Sequence, residues 1–107
     1  MIQISLTALN FELNDKTKEL VNEKINLKLS PLLDKFDPEI TTATIRLEKE
    51  KFGLFQVSFE MNLPGKERVY AKTTHLLLRS ALIDLQQQVE KQIKKYKQEL
   101  SNTSLSS

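Results

Sequence analysis

Few side chains in this chain could do covalent chemistry. There is no Cys, and the one His is His75. Without a thiol there is no disulfide, no thiolate nucleophile and no Cys-based metal site. A lone His gives no support to a Ser-His-Asp or Cys-His relay. His75 reads as a helix-start or surface residue, with nothing marking it as a general base. Two Gly in the whole chain are too few for a phosphate-cradling loop. Asp and Glu are scattered among Lys, and no pair stands out as an acid/base couple. The residue types point away from an enzyme and call for no metal or cofactor.

The basic residues carry more information. Residues 91–97 hold four Lys and no acid. Part of this is ordinary helix chemistry. Cations near a helix C-terminus offset its dipole by about 0.3–1 kcal/mol. Glu90 and Lys94 form a favourable i,i+4 pair worth about 0.2–0.5 kcal/mol. Lys24/Lys28 and Lys91/Lys95, however, are like-charged at the same spacing and cost similar amounts. Repelling pairs on two helices make sense if a polyanion neutralises them. Sixteen basic and fourteen acidic residues leave a net charge of only +2, so such a partner needs the charge concentrated locally.

Those lysines must be positioned by a scaffold, and the hydrophobic pattern supplies one. Ile2, Ile4 and Leu6 alternate with polar residues, as in a strand with one buried face. Phe11 and Leu13 extend the pattern after an irregularity. Asn14 or Asp15 offers a helix cap. Leu20, Val21, Ile25, Leu29, Leu32 and Phe36 then recur at helical spacing. Pro31 lies inside this run and predicts a kink, or a separate short helix from about Ser30. Asp37-Pro38 closes the segment. Ala43, Ile45 and Leu47 restore the two-residue period. Lys51-Phe52-Gly53 is a turn, and Phe55, Val57, Phe59, Met61 and Leu63 form the clearest alternating stripe. After the turn at Pro64-Gly65, Val69 and Ala71 point inward while Arg68, Tyr70 and Lys72 point outward. Thr73 or Thr74 caps a last helix with a stripe through Leu78, Leu82, Leu85, Val89, Ile93, Tyr96 and Leu100. Over residues 75–100 that helix is roughly 39 Å long and should overhang the sheet. The exposed end, with Ile93, Tyr96 and Leu100, is a possible docking surface for another helix or a second copy.

The order is β-α-β-β-β-α, an α+β fold with a four-stranded sheet and two helices on one face. At 107 residues and 39% hydrophobic content the chain suits one domain. Residues 1–100 read as that domain and 101–107 as a disordered tail. The N-terminus has no secretory pattern and no stretch approaches a membrane span. The expectation is a soluble, cytoplasmic, mainly monomeric protein.

Four segments are similar to one known family. Asn62-Leu-Pro-Gly-Lys-Glu-Arg-Val-Tyr-Ala-Lys72 resembles the third-to-fourth strand turn of the ribosome hibernation promoting factor and ribosome-associated translation inhibitor family, also called sigma-54 modulation proteins. Lys91-Gln-Ile-Lys-Lys-Tyr-Lys97 resembles the end of its last helix. Leu33-Asp-Lys-Phe-Asp37 resembles the end of its first, and Ile2–Leu13 its opening strand. The likeness, to the short form, runs over residues 1–100. It implies a fold like the double-stranded RNA-binding domain. It also implies a protein that sits on the small ribosomal subunit under stress or in stationary phase, in the channel used by mRNA and tRNA. On this resemblance Lys24, Lys28, Arg79, Lys91, Lys94, Lys95 and Lys97 would contact ribosomal RNA. The chain departs from the family at His75-Leu-Leu-Leu78 and Gln86-Gln-Gln88, where acid-aromatic and basic residues are common. That departure implies weaker binding. Two other classes fit the residues: another module of double-stranded-RNA-binding type, and a protein-interaction domain using the last helix.

Overall fold

Alternation builds the sheet. Four strands, β1 (Gln3–Leu9), β2 (Thr42–Lys49), β3 (Phe55–Leu63) and β4 (Glu67–His75), lie in the order β1-β2-β3-β4. The structure is a computed structural model that describes residues 3–10, 12–33, 42–63 and 67–106. Ile2, Phe11, Phe36, Asp37-Pro38 and the Pro64-Gly65 turn lie outside the described residues. β2, β3 and β4 form the expected antiparallel meander, and β1 pairs with β2 in parallel. A parallel neighbour needs a crossover, which the helical segment 15–33 provides.

That segment has three consecutive pieces: α1 (Asp15–Val21), a π-helical turn (Asn22–Asn26) and α2 (Leu27–Leu33). Asn14 caps the start, its Oδ1 accepting from the Thr17 N–H at 2.9 Å and the Thr17 hydroxyl at 3.0 Å. The helix does not break at Pro31, which lies inside α2. Its irregularity falls earlier, where the Leu27 N–H reaches back to the Asn22 carbonyl. The apolar spacing gives a physical reason. Val21, Ile25, Leu29 and Leu33 recur every fourth residue, a repeat that drifts around a 3.6-residue helix. A wider turn absorbs part of that drift and keeps all four buried. A polar ladder runs beside them, Asn26 Nδ2 donating to Asn22 Oδ1 at 3.0 Å and Ser30 Oγ to Asn26 Oδ1 at 2.7 Å.

The last helix, α3 (Leu78–Ser106), starts later than the sequence suggests. Thr73, Thr74 and His75 continue β4, and Leu76 and Leu77 are exposed before the first helical turn. Thr73 is no helix cap, because its hydroxyl donates to Asp84 Oδ2 at 2.5 Å. His75 Nε2 lies 3.1 Å from the same oxygen. The cluster latches the end of β4 to the second turn of α3. It is no catalytic relay, since the hydroxyl serves the carboxylate and not the imidazole. At the far end the backbone of α3 carries on past Leu100 into the segment read as a tail.

One core joins the layers. Val21, Ile25, Leu29 and Leu33 from the first helical segment meet Leu82, Leu85, Val89 and Ile93 from α3 over the buried face of the sheet. Both helices therefore cover one face, as the polar and apolar alternation requires. Phe55 is only half-buried, with Lys49 Nζ 5.8 Å from its ring centre, and lies outside the fully buried set. α3 is about 43 Å long at 1.5 Å per residue, longer than nine-residue β4 at roughly 30 Å. The overhang does not expose what the sequence suggested. Ile93 is fully buried and Tyr96 is 8% exposed, both against the protein's own core.

The latch makes a pH prediction. The Thr73 hydroxyl, then the His75 contact, hold the Asp84 carboxyl below its ordinary value of 3.8, against a smaller opposing effect of burial. A lowered value stabilises the fold above the unfolded-state value and is lost as pH falls through the folded one. Asp84→Asn should therefore cost about 1 kcal/mol near neutrality, the half-exposed site being screened by solvent. The gap between variant and wild type should narrow in urea titrations as pH falls below the ordinary carboxyl value of 3.8.

Candidate nucleic-acid interface

The fold decides which lysines can act together. β2 and β4 run parallel to β1, and each helix turns back from the end where β1 or β4 finishes. The two helices thus run side by side in one direction and touch along the π turn and α2. Lys28 and Lys91 each lie thirteen residues into their helical segments, so both sit roughly 20 Å from the starting end. Lys28 and the start of the Lys91–Lys97 run thus lie at a similar height along the two helices, with α3 carrying on beyond them.

Around α3 the cations are spread. Gln92 faces β4, its Nε2 donating to the Tyr70 carbonyl at 2.7 Å and its Oε1 accepting the Tyr70 N–H at 3.1 Å. Those bonds occupy an edge strand that would otherwise offer its backbone to another chain. Counting about 100° per residue from Gln92, Lys95 lies on the same flank and Lys91 and Lys94 point outward. Lys97 lies on the flank turned toward the first helical segment. Lys95 shares a hollow with Arg68, Gln92, Tyr96 and Glu99. Lys91, Lys94 and Lys95 are exposed, and Lys97 is half-buried, its stem covering apolar surface. Lys94 Nζ is 3.4 Å from Glu90, the expected i,i+4 pair.

Not every candidate joins this patch. Arg79 is exposed, but it precedes Lys91 by about 18 Å along the helix axis. Lys24 falls inside the π turn, only 21% of its side chain exposed and 3.6 Å from Glu23. Lys28 is exposed. Lys28, Lys91, Lys94 and Lys97 thus lie at neighbouring heights on the two helices, with Lys95 turned toward β4. Tyr96 is a core-edge residue with no face for a base to stack on. With Ile93 also buried, two of the three residues of the proposed helix-docking surface face the core, and the Leu100 side chain lies outside the described residues.

The open face of the sheet also carries basic residues. Arg46, Ser58 and Lys72 form one cross-strand row on it, and Tyr70 is 49% exposed beside them. Strand alternation marks all four as outward. Their lateral alignment depends on register, which no local signal fixes. Among the described residues no group of His, Asp and Glu could hold a metal ion, and no helix is long and apolar enough to cross a membrane.

The described residues form an α+β domain whose last helix carries exposed lysines on its outer face. The sequence profile described as sigma 54 modulation protein / S30EA ribosomal protein matches residues 4–101, and the chain belongs to this family. The fold is similar to the Thermus thermophilus Protein Y N-terminal domain, with a TM-score of 0.71 at 22% identity, over 89% of this chain and 99% of that one. It is also similar to a ribosomal subunit interface protein from Coxiella burnetii, with a TM-score of 0.69 at 22% identity, over 90% of this chain and 98% of that one. No curated protein sequence gives a significant match.

Proposed function

We propose that this protein is a ribosome-associated translation inhibitor that binds ribosomal RNA of the small subunit in the mRNA–tRNA channel. The observation that carries the reading is that Lys28 and the Lys91, Lys94 and Lys97 run stand at neighbouring heights on two helices that lie side by side in one direction. Family membership supplies the ribosome as partner. The small subunit is the member of that pair whose decoding channel is walled by RNA and sized for a nucleic-acid ligand. An elongated shape some 52 Å long and about 20 Å across has dimensions suited to such a channel. The effect is stoichiometric blockade under stress or in stationary phase, in the cytoplasm. The free protein is monomeric and needs no cofactor.

In a purified translation system, inhibition should need about one protein per ribosome and ease when initiator tRNA and mRNA are added in excess. Complete inhibition at strongly substoichiometric protein would point to catalysis and overturn the reading. The lysines set the on-rate as well as the affinity, so inhibition should also develop more slowly as salt is raised.

A further inference from the structure

The geometry points to a second RNA site on the open face of the sheet, one that holds a single-stranded nucleotide by its phosphate between Arg46 and Lys72 and by its base against Tyr70. This deepens the ribosomal reading: it gives the protein a contact for an unpaired strand on the face opposite its helices.

Register builds the site. Arg46 pairs with Ser58, and Ser58 pairs with Lys72. Two cations therefore flank one hydroxyl in a straight row across β2, β3 and β4. Neighbouring strands lie about 4.8 Å apart, so the two Cα atoms are about 10 Å apart. Both long side chains can bend over Ser58 to one phosphate, with the Ser58 hydroxyl donating from below. The row sits in a hollow of ≈ 250 Å³ lined by Leu9, Arg46, Glu48, Gln56, Ser58, Tyr70 and Lys72.

The neighbours set what fits. Lys72 Nζ is 2.6 Å from the Gln56 amide oxygen, and the Gln56 amide nitrogen donates to Glu50. This neutral partner aims the ammonium without cancelling its charge. Arg68 is already spent on Glu60 at 2.6 Å. Glu48 lines the same hollow and leaves its three charged groups, with Arg46 and Lys72, at a net +1. The face therefore offers one anion site and not a track, which favours a flexible single strand over the evenly charged backbone of a duplex.

Tyr70 supplies the other half. Its ring lies two residues from Lys72 on the same side of β4, half-exposed, with the Arg68 guanidinium 5.8 Å from its centre. Its backbone is clamped on both sides by Gln92. A rigid aromatic beside a phosphate site is the arrangement by which sheet surfaces stack unpaired bases.

The test uses the full-length protein and a fluorescein-labelled octauridylate. Tyr70→Leu and the Arg46→Gln/Lys72→Gln double variant should each weaken binding about tenfold or more, while Tyr70→Phe stays near wild type. Lys91→Gln/Lys94→Gln should leave most of the affinity for this short probe. Amide shifts on adding probe should map to β2, β3 and β4. Loss of binding in the helix variant with none in the sheet variants would overturn the site. So would oligoglutamate binding as tight as octauridylate, which would make the face a docking site for acidic protein. Sedimentation of the same variants with ribosomes separates the two readings. Octauridylate bound on the sheet by a protein that does not sediment would sink the ribosomal role alone. Ribosome binding with probe shifts confined to the helices would sink the sheet site alone.

Discussion

Replacing Lys28, Lys91 and Lys94 together by Gln should weaken binding to small ribosomal subunits roughly a hundredfold at about 0.15 M salt. Each neutralised phosphate contributes about 0.7–0.9 to the slope of log affinity against log salt. Three lost contacts flatten the slope by about two to three units, and the deficit grows as salt is lowered. All three side chains are exposed, so folding should barely change. The one pair lost, Glu90 with Lys94, contributes only a few tenths of a kcal/mol. A charge-matched triple, Lys16, Lys49 and Lys51 to Gln, separates local contact from net charge. It removes the same charge from exposed positions elsewhere. If the slope falls as much in that variant, these helix lysines are not the contact surface. If neither triple changes it, affinity does not come from these lysines.

Phe59→Ala should cost about 3–5 kcal/mol. Phe59 is fully buried at the middle of β3, between Ile45 on β2 and Ala71 on β4. Ala71 is small, so the ring fills the space above it, beneath both helices. Truncation leaves a cavity that the paired strands on either side cannot close. Single domains are stable by only about 5–15 kcal/mol, so a large share of the total is at stake. The urea midpoint should fall by roughly 2–3 M at unchanged m. Phe59→Leu should recover most of the loss, because it restores most of the volume. A cost under about 1 kcal/mol would mean that the two helices do not pack on this face.

The strands and the face they bury were plain in the sequence because alternation is local. Val57, Phe59, Met61 and Leu63 could face only one way, and the stripe on α3 had to meet them. Features that depend on distant partners were hidden. Thr73 has the residue type and position of a helix cap, yet it ends a strand because Asp84, eleven residues on, takes its hydroxyl. The π turn hides because Val21, Ile25, Leu29 and Leu33 read as ordinary helix whether or not a turn widens between them. Pro31 drew attention to the wrong place, since a helix tolerates one missing N–H when its apolar face is well buried. The basic residues were visible as types. The sequence could not show that Lys24 would be largely covered while Lys28 stays free to meet a partner, nor that Lys95 turns toward β4. The row of Arg46, Ser58 and Lys72 needed the register of three strands, and that register exists only in the folded sheet.

Occupancy of the decoding channel is tested most directly by equilibrium competition. Fluorescently labelled protein is bound to purified small subunits at fixed salt and titrated with a short mRNA carrying initiator tRNA. Full displacement is expected, with an apparent affinity that falls as the concentration of the mRNA–tRNA complex rises. Protein that stays bound while mRNA and tRNA fill the subunit would contradict it.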